Sequence, residues 1–157
     1  DSLKILCDKG VRFKMLFVGP IEDGKIFYKK MEELQLNDHI IVCGPIYDRN
    51  LLKKIYVRAD LLLLPSYYDT SSLVQKEAAS QFTPTVFLEN TPTASDVVND
   101  YNGFITAFDK NTYANKIIEV LNNRKLLQEV SENCHDTLYK TWEDVCKILF
   151  EYYTRLL

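Results

Sequence analysis

Short apolar runs closed by glycine or proline alternate along this chain with stretches whose apolar residues recur every three or four positions. The first pattern predicts strands inside a layered fold and the second predicts amphipathic helices. "FKMLFVG" (13–19) reads as a strand, and "KIFYKKMEELQL" (25–36) as a helix with Ile26, Met31 and Leu34 at helical spacing. "HIIVCGP" (39–45) is the next strand, and "RNLLKKIYVRA" (49–59) a helix with Asp48 as its N-cap. "DLLLLPS" (60–66) is apolar on both faces, which predicts a strand covered on both sides. "SLVQKEAASQF" (72–82) reads as helix, "PTVFLE" (84–89) as strand, and "NGFITA" (102–107) as a short strand after a glycine turn. From Thr112 onward the pattern is helical. In "TWEDVCKILFEYYTRLL" (141–157), Trp142, Val145, Leu149, Tyr152 and Tyr153 form one stripe, which predicts packing.

Alternating β and α units imply an α/β fold: a Rossmann-like, doubly wound parallel sheet with helices on both faces, followed by C-terminal helices. No repeat, low-complexity tract or linker divides residues 1–157, so one domain is expected. The chain opens with "DSLKILCDKG" (1–10), a helix ending at a Gly C-cap, where such a domain normally opens with a strand. In the strand order 3-2-1-4-5-6 the first strand is central. The expectation is therefore a fragment whose sheet lacks its central strand.

Composition narrows the function. With 46% hydrophobic and 26% charged residues the chain is an ordinary globular protein, and its net charge of −3 gives no broad footprint for nucleic acid. No apolar run is long enough to span a bilayer, and a cytoplasmic location is expected. Cys7, Cys43, Cys134 and Cys146 lack metal-ligand spacing and read as reduced thiols, with Cys43 in the core. "GPIEDG" (19–24) is neither a Walker A loop nor GxGxxG, and Ser66 lacks the GxSxG elbow. His135-Asp136, Lys29-Lys30 and Lys53-Lys54 read as solvated helix residues, and Phe150, Tyr152 and Tyr153 as packing.

The distinctive stretch is "PSYYDTSSLVQKEAASQFTP" (65–84). Asp69, Thr70, Ser71 and Ser72 stand between a strand and the helix that begins near Ser72. This is where open parallel sheets bind ligands, close to helix N–H groups that favour anions. Helix capping alone is the simpler reading. Glu77, within the first two turns of the helix, adds a second acid that could reach the same cleft, and a carboxylate accepts two hydroxyls side by side, as a ribose diol presents them.

Asp69, seven intervening residues, Glu77 and Ala78 resemble the Glu, seven residues, Glu-Ala motif of group 1 retaining glycosyltransferases with the GT-B fold. "FVGP" (17–20), "IIVCGPI" (40–46), "YVRADLLLLPS" (56–66), "TPTVF" (83–87), "NGFI" (102–105) and "TWEDVCKILFEYY" (141–153) follow the family's order across essentially the whole chain. The resemblance implies a site for a nucleotide diphosphate sugar, a UDP-sugar favoured, with no metal cofactor. Glu77 would hold the ribose hydroxyls and Asp69 would contact the sugar. The N–H groups around Ser71, Ser72 and Leu73 would face the diphosphate or sugar, with Gly19, Pro20, Gly44, Ile46 and Tyr47 along the phosphates and base. It further implies hexose transfer with retention in a cytoplasmic or inner-face bacterial enzyme, to a glycan or lipid acceptor held by an N-terminal domain. A basic diphosphate clamp would also precede Asp1, so this piece should bind donor weakly without turnover, and the last helix would cross back toward the other domain, leaving some of its aromatic surface exposed here. Three positions depart from the family: Asp69 replaces Glu, Ser71-Ser72 replaces Phe-Gly, and Phe82 replaces a glycine, which predicts a different turn. A Rossmann-like binding module with a degenerate site, and a sugar-phosphate phosphorylase or epimerase, are the rival readings.

Overall fold

The computed structural model describes residues 1–69 and 72–156. In chain order its elements are α1 (Ser2–Asp8), β1 (Met15–Val18), α2 (Gly24–Glu33), β2 (Ile40–Gly44), α3 (Arg49–Arg58) and β3 (Leu62–Leu64). There follow α4 (Leu73–Ala79), β4 (Thr85–Leu88), a 3-10 turn (Pro92–Ala94), β5 (Phe104–Thr106), α5 (Lys110–Asn122), α6 (Arg124–Leu138) and α7 (Trp142–Leu156). Every strand pairing is parallel: β1 with β2, and β3 with β4 with β5. This is the Rossmann-like alternation read from the sequence, with its strands in two sheets.

The core lies on one face of the three-stranded sheet. Val86 and Leu88, two residues apart on β4, point the same way. With Phe104 of β5 they meet Leu6 of α1, Tyr113, Ala114, Ile117 and Val120 of α5, and Leu127 and Val130 of α6. Each fully buried aliphatic or Phe side chain contributes roughly 1.5–3 kcal/mol. Tyr113 buries its ring there while its hydroxyl donates to the Val86 carbonyl (3.1 Å), which satisfies the one polar atom it brings inside. Phe87 points the other way, against Val97 and the backbone of Gly103.

Several expectations are corrected. β3 is only half-buried, because β4 alone pairs with it, and the strand buried throughout is β4. Cys43 is half-buried on β2, and the thiol in the core is Cys134 of α6. The aromatic stripe of α7 is exposed well beyond the partial exposure expected of it: Trp142 is 84% exposed, Phe150, Tyr152 and Tyr153 are exposed as well, and the helix buries no described residue. The β1–β2 pair likewise shows Leu16, Val18 and Ile41 to solvent on one face, while Phe17 on the other meets Phe27 of α2 edge to face (5.0 Å).

The turn at Phe82 keeps the form that the sequence argued against. Phe82 adopts φ 60°, and the Thr83 N–H reaches the Ala78 carbonyl (3.0 Å) while the Phe82 N–H reaches that of Ala79 (3.0 Å). This is a Schellman ending with Phe at the position that favours glycine. The left-handed conformation costs about 1–2 kcal/mol for a residue with a Cβ. The Phe82 ring offsets part of that by lying flat on His135, centroids 4.0 Å apart and planes 5° apart. His135 is therefore a packed residue as well as the hydrogen-bond partner of Asp136 (3.0 Å).

Candidate functional site

Two loops leave the carboxyl ends of β1 and β2 and are tied together. Gly19, just past β1, donates its N–H to the carbonyl of Gly44 at the end of β2 (2.9 Å). Their φ values, 125° and 64°, lie in the region that favours glycine, and no atom stands within 4 Å of where a Cβ would project. Backbone, not side chain, thus forms this edge. Pro20 is exposed beside it, Ile46 is half-buried, and Tyr47 is 88% exposed.

The connection from β3 to α4 carries the first acid. Asp69 is half-buried within it, and Ser72 is buried at its end. The Ser72 hydroxyl accepts the Gln75 N–H (3.4 Å), so Ser72 does cap α4, and Leu73 opens the helix with its side chain exposed. Ser71 and Thr70 lie outside the described residues.

Glu77 is not the solvated helix residue that the simplest reading would make it. Its side chain is 28% exposed, and Oε1 accepts from Nη2 of Arg49 at 2.7 Å. Oε2 accepts from the hydroxyl of Tyr56 at 3.3 Å. Arg49 is the first residue of α3, directly after the Gly44–Tyr47 loop and its N-cap Asp48. Tyr56 stands seven residues on, two turns along the same face. Its own carbonyl accepts the hydroxyl of buried Thr83 (2.7 Å), which fixes α3 to the end of α4 from the backbone side. Burial first, and then the charge of Glu77, push the Tyr56 phenol up to about 12, so it remains a donor across the working range of pH.

The structure therefore assembles the expected residues in three groups: Gly19 with Gly44, Asp69 with Ser72 and Leu73 on one connection, and Glu77 joined through Arg49 to the helix that follows the Gly44–Tyr47 loop. Sequence reasoning missed Arg49 and Tyr56. Their spacing of seven on one helix was the available signal, but nothing in the sequence said that α3 would lie beside α4. Among the described residues no cluster of three His, Cys, Asp or Glu side chains could hold a metal ion. No described helix is long and apolar enough to cross a membrane.

Comparison with known proteins gives these groups a context. Residues 1–136 match the family model described as Glycosyl transferases group 1. Sucrose-phosphate synthase from Thermosynechococcus elongatus shares the fold at a TM-score of 0.83 and 22% identity, over 99% of this chain and 41% of its own. A glycosyltransferase from Rickettsia africae matches at 0.80 and 18% identity, over 98% and 42%. HepE of Anabaena, in a crystal structure with UDP and glucose, matches at 0.74 and 21% identity, over 87% and 37%. The chain thus spans about two fifths of the length of each. No curated protein matches it by sequence. The match to the family model covers the glycine loops, both acids and every strand, and with it the chain belongs to the group 1 glycosyltransferases, as a C-terminal Rossmann-like domain of their GT-B fold.

Proposed function

We propose that this chain is the donor-binding domain of an enzyme that transfers a hexose, with retention, from a nucleoside diphosphate sugar to a glycan or lipid acceptor. The observation that carries the reading is the Glu77 carboxylate, partly shielded from water and held by Arg49 and Tyr56 of the helix that follows the Gly44–Tyr47 loop. Each carboxylate oxygen keeps a free lone-pair direction, the number a ribose diol needs. Gly19, Pro20, Gly44, Ile46 and Tyr47 then run along the phosphates and base. Asp69 meets the sugar, and the N–H groups of Ser72 and Leu73 face the diphosphate or sugar. Departure of the nucleoside diphosphate requires its growing charge to be met by fixed donors, which backbone N–H groups and basic side chains supply without a metal. UDP is the favoured carrier, a choice supported by HepE, solved with UDP and with UDP-glucose. The acceptor falls to a second domain, in an enzyme of the cytoplasm or the inner membrane face. The shape of the Phe82 turn also favours a working site over a degenerate one, since that departure leaves the backbone as a glycine would.

The test is thermal shift and titration with UDP, GDP, ADP and their glucose conjugates, on the wild type and on Glu77→Ala. A ligand at one hundred times its Kd stabilises the fold by about 2.7 kcal/mol. UDP or UDP-glucose should stabilise the wild type and not the variant. No stabilisation by any of them at millimolar concentration, or equal stabilisation of Glu77→Ala, would defeat the reading.

A further inference from the structure

We propose that Tyr56 and Arg49 are positioning residues that lock the Glu77 carboxylate and thereby make the site select ribonucleotides over 2′-deoxyribonucleotides. The inference rests on the reading of Glu77 as the ribose contact. A Glu side chain has three rotatable bonds, and on an exposed helix face its carboxylate would sample many orientations. Here the two oxygens are held from two directions, Oε1 by Arg49 Nη2 at 2.7 Å and Oε2 by the Tyr56 hydroxyl at 3.3 Å. Arg49 and Tyr56 both project from α3, so one helix face fixes both ends of the group. That helix is itself held, because the Thr83 hydroxyl bonds the Tyr56 carbonyl at 2.7 Å.

Stability does not account for the arrangement. The Arg49 side chain is 74% exposed, and an ion pair so open to water contributes roughly 0–1 kcal/mol. What the pair does accomplish is geometric. With one lone pair on each oxygen already taken, the two that remain are fixed in space. A vicinal diol meets both at once, and a 2′-deoxy sugar leaves one unmet in a partly dehydrated site. Such an unmet acceptor is what lets a polar site reject an analogue that lacks one hydroxyl. Freed from Tyr56, the carboxylate could turn to suit the single remaining hydroxyl and water, and the distinction would fade.

The experiment is isothermal titration of the wild type, Tyr56→Phe, Arg49→Gln and Glu77→Ala with UDP and 2′-deoxyUDP. The adenine and guanine pairs serve if another base is preferred. The quantity read is the ratio of the two Kd values. The wild type should prefer the ribonucleotide on the order of tenfold or more, as one hydrogen bond to a charged group implies. Tyr56→Phe, which keeps the ring, should bring the ratio at least threefold closer to one, as should Arg49→Gln. Uniform weakening of both ligands with the ratio intact would mean that the two residues only support the fold, and would overturn the proposal while leaving Glu77 as the ribose contact. A wild type that binds neither nucleotide, or binds both equally, would overturn the reading of Glu77 and this proposal with it.

Discussion

Gly103 offers the sharpest test of the packing. A Cβ at this position would stand 2.8 Å from Val97 Cγ1 and 2.9 Å from Phe87 Cε2, closer than real Cβ contacts come. Its φ is outside the left-handed region, so space and not backbone strain forbids a side chain. Phe87 is fully buried and Val97 nearly so, and neither can swing into solvent to make room. Gly103→Ala should therefore push β5 away from β4 and cost roughly 1–3 kcal/mol, the usual penalty for an overpacked core. In a chain of this length each kcal/mol lowers Tm by about 2–4 °C, so a fall of about 2–12 °C is expected. Urea unfolding gives the free energy, and a scanning calorimeter gives the Tm. Val97→Ala removes one of the two obstacles, so the double variant should be less destabilised than the sum of the singles by about 0.5 kcal/mol or more. Phe87 remains in place, so the rescue should be partial. A Gly103→Ala protein within about 0.5 kcal/mol of wild type, or strict additivity with Val97→Ala, would refute this account of the β4–β5 packing.

Other perturbations follow from particular contacts. Phe82→Gly relieves left-handed strain but loses the ring stacked on His135; its effect should be more favourable in a His135→Ala background than in wild type by roughly 0.5–1.5 kcal/mol, the worth of an aromatic pair. An identical effect in both backgrounds, measured by urea unfolding, would show that the stack does not offset the strain. Burial raises the Cys134 thiol to about 12, and burial with the Glu77 charge raises Tyr56 to about 12. Both folded values exceed the unfolded ones, so the unfolded chain holds fewer protons at high pH and the stabilisation present at neutral pH is lost as pH rises. The loss should begin near pH 9 with Cys134 and steepen above about pH 10 with Tyr56 and with Tyr113, whose phenol burial also raises. Cys134→Ala should flatten the first part of that decline in urea midpoints measured from pH 7 to 11; an unchanged slope would remove Cys134 from the explanation.

How far the sequence could be read depended on whether a feature was local. The order of strands and helices follows from periodicity and caps, and Asp48 caps α3 as its position implied, accepting the N–H groups of Asn50 (2.8 Å) and Leu51 (3.3 Å). Burial was less legible because it depends on neighbours. Leu62 to Leu64 look like a central strand but lie at an edge, and the stripe on α7 has the spacing of a core helix without an element laid over it. Gly103 reads as a turn glycine in "NGFI", whereas its real constraint is the approach of Phe87 and Val97, residues 16 and 6 positions away. Phe82 shows the opposite failure: propensity argued against a left-handed turn, and a ring contact 53 residues along the chain, with His135, helps sustain one. The site divides in the same way. Asp69, Glu77 and the two glycines could be found from their local pattern, but Arg49 and Tyr56 become visible only once α3 lies beside α4.

The central claim is that the glycine loops, the β3–α4 connection and Glu77 form one surface for a nucleotide sugar. Amide and side-chain NMR shifts of the labelled chain, titrated with UDP and then UDP-glucose, test this most directly. The account predicts that the largest changes fall on Gly19, Gly44, Tyr47, Ser72 and Leu73 and on the side chains of Arg49, Tyr56 and Glu77, with UDP-glucose adding a change at Asp69. Changes centred on α5 to α7, or saturable binding that leaves the two glycine amides and Glu77 unmoved, would contradict it.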